Sequence, residues 1–264
     1  MSAKPNTPQP SLDFRFSIPR APTGPLVELS PEEWEQMLLG RLEEQQTDPT
    51  QAMWDLAQFY KLQQRHEQAI GWLHKLMSIL PDGESKASCV LTMGQAMEQV
   101  HDYLAAVQYY KEALALEPTD TFTWYFINNN LGFSLNQLGQ FVEGERYCRK
   151  AIEIDPGRPN GFKNLGLALL GQGKYQDAAR CFVTATQVNA ADARSLHLLQ
   201  ELIGEHPELA FEFQDEVDCC RKAVEVAAQK VAAAKPVVYR GWRKRLILWQ
   251  AKLRFLACKM RKVF

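Results

Sequence analysis

One pattern recurs four times along this chain, and it restricts the possible folds more than any single residue does. The second copy runs Met93-Gly94, Ala106, Tyr110, Ala113 and Pro118. The third runs Leu131-Gly132, Gly144, Cys148, Ala151 and Pro156. The fourth runs Leu165-Gly166, Ala178, Phe182, Ala185 and Ala190, and a looser first copy runs Leu56-Ala57, Tyr60, Ala69, Leu73, Leu76 and Pro81. Ala57, Gly94, Gly132 and Gly166 lie 37, 38 and 34 residues apart, while the offsets inside the copies are the same. Each copy reads as two helices joined by a tight turn. The small residues, one per helix, mark where two axes cross closely, because a larger side chain would push them apart. Tyr110 and Phe182 are expected to fill the wedge toward the following copy. Pro81, Pro118 and Pro156 stop apolar helical runs, with Asp82, Thr119 and Gly157 next as turn or cap residues. One copy cannot bury its own apolar face, so neighbours must stack.

These motifs resemble tetratricopeptide repeats across residues 49–190. The first copy lacks the glycine, the third has Gly144 and Cys148 where alanine and an aromatic are usual, and the fourth ends on Ala190. The resemblance implies an all-α solenoid of helix-turn-helix pairs with helical caps at both ends. A C-terminal basic amphipathic helix follows from the sequence itself.

Outside the repeats, residues 1–29 are polar and Pro-rich and predict a disordered arm, although Leu12, Phe14, Phe16 and Ile18 alternate as a short strand would. No secretory signal is read there. Ser30-Pro31-Glu32-Glu33 predicts a helix start with a capping box. Residues 30–48 then form an N-terminal capping helix, with Trp34, Met37, Leu38 and Leu42 on one side. Residues 191–235 predict C-terminal capping helices broken at His206-Pro207, with apolar faces from Phe211, Phe213, Val217, Val224 and Val226.

The net charge of −1 hides an asymmetry. Lys230 to Phe264 holds 11 Lys/Arg and no Asp/Glu, so the rest of the chain carries −12. Within residues 236–264, Trp242, Leu246, Trp249, Leu253, Leu256 and Met260 recur in alternating steps of four and three. That is a helical seam with a heptad period on a basic segment. It must bury against something. The last repeat helices, another protein chain (self-association included), an anionic membrane and nucleic acid all stay open. Six scattered cysteines and no CxxC predict a reducing compartment, here the cytoplasm, with peripheral membrane attachment as the variant.

The resemblance implies that the first helix of each pair lines a concave groove. Asp55, Thr92, Asn130 and Asn164 each stand two residues before the small position. An asparagine amide offers an acceptor and two donors, so a row of them suits the backbone of an extended peptide. Some arrays of the family use such a ladder. Helical spacing adds Phe126, Asn129, Phe133 and Asn136 around Asn130, and Asn160, Lys163 and Leu167 around Asn164. The competing reading is that these asparagines bond neighbouring helices. A clamp for acidic chaperone C-termini is disfavoured, since Trp54, Gln58, Phe126 and Asn130 occupy most of its cationic positions. No HExxH, paired CxxC or P-loop occurs and the five histidines are dispersed, so neither enzyme activity, metal nor cofactor is expected. The reading is a non-catalytic protein-interaction adaptor holding an extended peptide. The alternative is membrane or nucleic-acid attachment through residues 236–264, with the repeats recruiting a partner.

Overall fold

The computed structural model describes residues 30–43, 49–80 and 83–233. The predicted arm, Pro81-Asp82 and the tail seam lie outside these residues. All regular elements among the described residues are helical: α1 (Pro31–Glu43), α2 (Pro49–Leu62), α3 (His66–Ile79), α4 (Gly83–Gln99), α5 (Tyr103–Ala115), α6 (Thr121–Gln137), α7 (Phe141–Ile154), α8 (Pro159–Leu170), α9 (Tyr175–Val188), α10 (Arg194–Glu205), a 3-10 turn (Pro207–Leu209) and α11 (Ala210–Ala233). They pack in sequence order, each against its immediate neighbours, while α4 also touches α6, and α6 also touches α8.

The turn inside each pair is built the same way four times. Gln64, His101, Gly139 and Gly173 hold left-handed backbone, with φ of 61°, 62°, 74° and 74°. The next residue in each case donates its N–H five residues back, as in Arg65 to Tyr60 (2.9 Å) and Lys174 to Leu169 (2.9 Å). This closes the helix end with a bond across six residues. Glycine suits that conformation, and two pairs manage it without one.

The small residues do bring the helices together, with a geometry the spacing alone did not give. A Cβ on Gly94 would stand 2.4 Å from the Tyr110 ring, and one on Gly166 would stand 2.5 Å from the Phe182 ring. The aromatics therefore lie across the glycine of their own pair rather than in the wedge to the next. In the third pair a Cβ on Gly132 would meet Cys148 Sγ at 2.5 Å and the backbone oxygen of Gly144 at 3.1 Å. Cysteine replaces the ring because the two backbones themselves are in contact.

The ends are closed locally. Ser30 N–H donates to Glu33 (2.6 Å) and Glu33 N–H donates to Ser30 Oγ (3.2 Å), completing the capping box. Leu38 of α1 joins Leu56, Tyr60 and Ala69 in one buried cluster. Asp120, not Thr119, caps α6 by accepting from Thr123 N–H (2.7 Å). At the other end Leu196, Leu199, Leu202, Leu209, Phe213, Val217 and Cys220 bury against Phe182 and Val183. Phe211 and Val226 differ from expectation: they point to solvent, 98% and 48% exposed. The seam of α11 buries the side holding Phe213 and Val217, and Phe211, two residues before Phe213, falls outside it.

Candidate functional site

The first helices of successive pairs, α2, α4, α6 and α8, form a continuous wall, and polar side chains bond across it from each pair to the next. Lys61 Nζ donates to Gln95 Oε1 (3.1 Å), Ser134 Oγ donates to Glu98 Oε1 (2.8 Å), and Asn136 Nδ2 donates to the Asn164 carbonyl (2.8 Å). Lys61, Glu98 and Asn136 each stand four residues after the small position of their pair. One register therefore performs one task, with a different side chain each time. Ser88 and Thr123 share a weaker contact at 3.4 Å.

The candidate asparagines divide. Asn164 is 4% exposed and its Nδ2 donates to Asn129 Oδ1 (3.1 Å). Asn129 and Asn136 are buried as well. Of the two readings the sequence left open, these three follow the second: they join neighbouring helices. The physical reason is the close approach of α6 and α8, which leaves their facing amides each other as partners. Asn130 stays half-buried and accepts from Asn129 Nδ2 (2.9 Å). Thr92 is buried and donates to the Ser88 carbonyl one turn earlier (2.9 Å). Asp55 accepts from Gln51 (2.8 Å) and pairs with Arg41 of α1 (3.0 Å). Burial raises its carboxyl above the usual range, and those two partners oppose the rise.

The candidates Phe126, Asn130 and Phe133 on α6 and Asn160, Lys163 and Leu167 on α8 are all half-buried. Phe126 lies 4.5 Å from the Phe122 ring, with the Arg158 guanidinium 5.0 Å from its centroid. Phe133 meets Tyr103 edge-on at 6.0 Å. Lys163 Nζ donates to Asn160 Oδ1 (3.3 Å), and burial lowers the ammonium to about 8, helped by Arg194 and opposed by Asp192. Lys61 falls to about 8 by burial alone. Burial pushes Glu98 up to about 7, against the hydrogen bond from Ser134. Lys61 and Glu98 were missed in the sequence. The available signal was their shared offset from the small residue, a place where a lone charge is costly.

Replacing Asn164 by Ala removes the donor to Asn129 and leaves a buried acceptor unsatisfied. The expected cost is about 1–3 kcal/mol, read as a lower thermal midpoint, while Asn160→Ala changes stability by less than about 0.5 kcal/mol. Equal midpoints for the two variants would show that the cross-wall bond is not stabilising.

Among the described residues no three His, Cys, Asp or Glu side chains are grouped as a metal site needs, and no helix is long and apolar enough to cross a membrane. Cys148, Cys181, Cys219 and Cys220 are free thiols.

Stacked helix pairs with a shared wall of first helices define a helical-repeat solenoid. Family models described as tetratricopeptide repeat match residues 39–117, 127–158 and 163–208, and the chain belongs to the tetratricopeptide repeat family. It is similar to small glutamine-rich tetratricopeptide repeat-containing protein 2 of Mycosarcoma maydis, with 30% identity over 108 residues, 41% of this chain and 30% of that protein. It is similar to human tetratricopeptide repeat protein 7B, with 31% identity over 98 residues, 37% of this chain and 11% of that protein. The chain thus spans less than a third of either relative. Among solved structures, BtubC from P. vanneervenii superposes with a TM-score of 0.62 at 15% identity, covering 81% of this chain and 97% of that one. YrrB, described as a tetratricopeptide repeat protein with an unusual peptide-binding site, superposes at 0.52 with 18% identity, covering 75% of this chain and 99% of that one. These likenesses establish the fold.

Proposed function

We propose that this chain is a non-catalytic protein-interaction adaptor that holds an extended peptide along the wall of first helices. The observation that supports the reading most directly is the strip of half-buried side chains on α6 and α8. Phe126, Phe133 and Leu167 offer apolar contact, and Asn130, Asn160 and Lys163 offer polar contact beside them. Few apolar anchors with convergent polar groups suit a ligand site. Because Asn129, Asn136 and Asn164 are engaged with one another, the ligand's backbone meets Asn130 and Asn160 only. Lys163 makes no ion pair within 4 Å among the described residues. A partly desolvated ammonium of this kind selects a ligand carboxylate at that point. YrrB's description as a peptide binder fits this reading.

The test is selection from a displayed library of random dodecapeptides. Enriched peptides should carry an acidic residue, and binding should weaken about tenfold or more in Phe133→Ala/Lys163→Ala, the loss of roughly 1.4 kcal/mol. Thermal melting keeps loss of fold separate from loss of binding. Enrichment that the folded variant reproduces in full would refute the assignment.

A further inference from the structure

Phe122, Tyr125 and Phe126 follow one another on α6 at steps of three and one, which sets their rings on one side of that helix. The Phe122 and Phe126 rings lie 4.5 Å apart, and Tyr125 meets Phe126 edge-on at 5.2 Å. The Arg158 guanidinium sits over all three, 5.2 Å from the centroid of Phe122 and 5.0 Å from those of Tyr125 and Phe126. Ring faces attract a cation at such distances. Arg158 itself comes from the short connection between α7 and α8. Asp155 shapes that connection: its Oδ1 accepts from Gly157 N–H (3.0 Å) and its Oδ2 from Arg158 Nε (2.6 Å). Tyr125 Oη accepts from Gly161 N–H (3.1 Å), which ties the start of α8 to the ring cluster. The guanidinium is thus fixed at its Nε and along its face. Its two Nη groups make no hydrogen bond among the described residues, and the side chain stays 35% exposed. Phe122 beside it is exposed as well.

We propose that Arg158 is a specificity-determining residue of the peptide site, binding a carboxylate of the ligand through its Nη groups while Phe122 takes the apolar side chain next to it. This rests on the reading that the strip on α6 and α8 holds an extended peptide. Phe126 belongs both to that strip and to the ring cluster, so a peptide lying on Phe126 passes beside Arg158. A guanidinium offers its donors in one plane and matches a carboxylate at two points. A side chain already ordered against three rings also loses less freedom when the ligand arrives. Asp155 narrows the ligand chemistry further. Its carboxylate already balances the Arg158 charge, so the site suits a singly charged carboxylate better than a phosphate, which carries nearly twice the charge. Lys163 alone would read one acidic residue of the ligand. With Arg158 the site reads two.

The test uses the full chain and dodecapeptides from the selection described above. Enriched peptides should carry two acidic residues, one of them beside an aliphatic or aromatic residue. Exchanging that acid for its amide should weaken binding to the wild type about tenfold. The same exchange should cost Arg158→Gln less than about twofold. The other acidic residue should keep its full effect in Arg158→Gln and lose it in Lys163→Gln. Arg158→Lys, which retains a cation over the rings without the planar fork, should lose the same preference as Arg158→Gln. Thermal melting checks that each variant is folded. Three results overturn the inference while leaving peptide binding at the strip intact: enriched peptides with a single acidic residue, an amide exchange that costs Arg158→Gln as much as the wild type, or tighter binding when phosphoserine replaces the acid. Enrichment that Phe133→Ala/Lys163→Ala reproduces in full ends the peptide reading, and this inference with it.

Discussion

Gly132→Ala is expected to be among the most damaging single substitutions in this molecule, and the damage should resist repair. The added Cβ would stand 2.5 Å from Cys148 Sγ and 3.1 Å from both Cys148 N and the Gly144 oxygen. Trimming Cys148 removes the first clash only, because the other two atoms belong to the backbone of α7. Overpacking of a close-packed core costs about 1–3 kcal/mol, occasionally more, and the upper end is expected here. A domain of this size loses about 2–4 °C per kcal/mol, so the midpoint should fall by roughly 6–12 °C. Gly94→Ala makes a useful contrast. The three atoms nearest its new Cβ all belong to the Tyr110 ring. Gly94→Ala should therefore regain much of its stability when combined with Tyr110→Leu, whereas Gly132→Ala combined with Cys148→Ala should not. Thermal unfolding of the four variants decides the matter. Full recovery of the Gly132 pair would mean that α6 and α7 are free to separate.

Glu98→Gln is expected to stabilise the protein at pH 8 and to be neutral at pH 4. Burial lifts the Glu98 carboxyl from 4.5 to about 7. A raised carboxyl binds its proton more tightly in the folded chain than in the unfolded one. Its favourable contribution is complete below 4.5, declines as pH climbs toward 7, and is gone above that. At pH 8 the folded protein holds a carboxylate in a poorly solvated position, with no cation within 4 Å among the described residues. A tenfold change in proton affinity between the folded and unfolded chain is worth about 1.4 kcal/mol. Allowing for solvent at this half-buried site, the gain at pH 8 should be about 1–3 kcal/mol. Glutamine keeps an acceptor for Ser134. Denaturant midpoints of both proteins across pH 4–8 should converge at the acid end and diverge above pH 5. A constant difference would place the carboxyl in ordinary solvent. Lys61, lowered from 10.5 to about 8, has the opposite sign: its penalty is full below pH 8 and fades as pH rises toward 10.5.

The helix pairs were readable because steric exclusion leaves a trace in residue type. Gly94, Gly132 and Gly166 recur where no Cβ fits, and the offsets carry that directly. The α10 break at His206-Pro207 and the Ser30 capping box are local signals and were equally legible. The wall was less so. An asparagine in a helix has the same letter whether it faces solvent or the next helix, and only the separation of α6 from α8 decides between them. Asn164 is close enough to donate to Asn129, while Asn130, on the next position of the same helix as Asn129, is not enclosed. Phe211 shows the converse. Its apolar type puts it on the packing face of the cap, but residues two apart on a helix point about 200° apart, so Phe211 faces away from the side that buries Phe213.

Each pair touches chiefly the pair before and after it, so rigidity here is a local property passed along a line. Loss of one cross-wall bond should let the molecule hinge at that joint while the segments on either side keep their shape. The joint between α6 and α8, with its two asparagine bridges, would then be the stiffest. A ligand long enough to span several joints would act as a splint, and its grip would set the curvature of the whole coil.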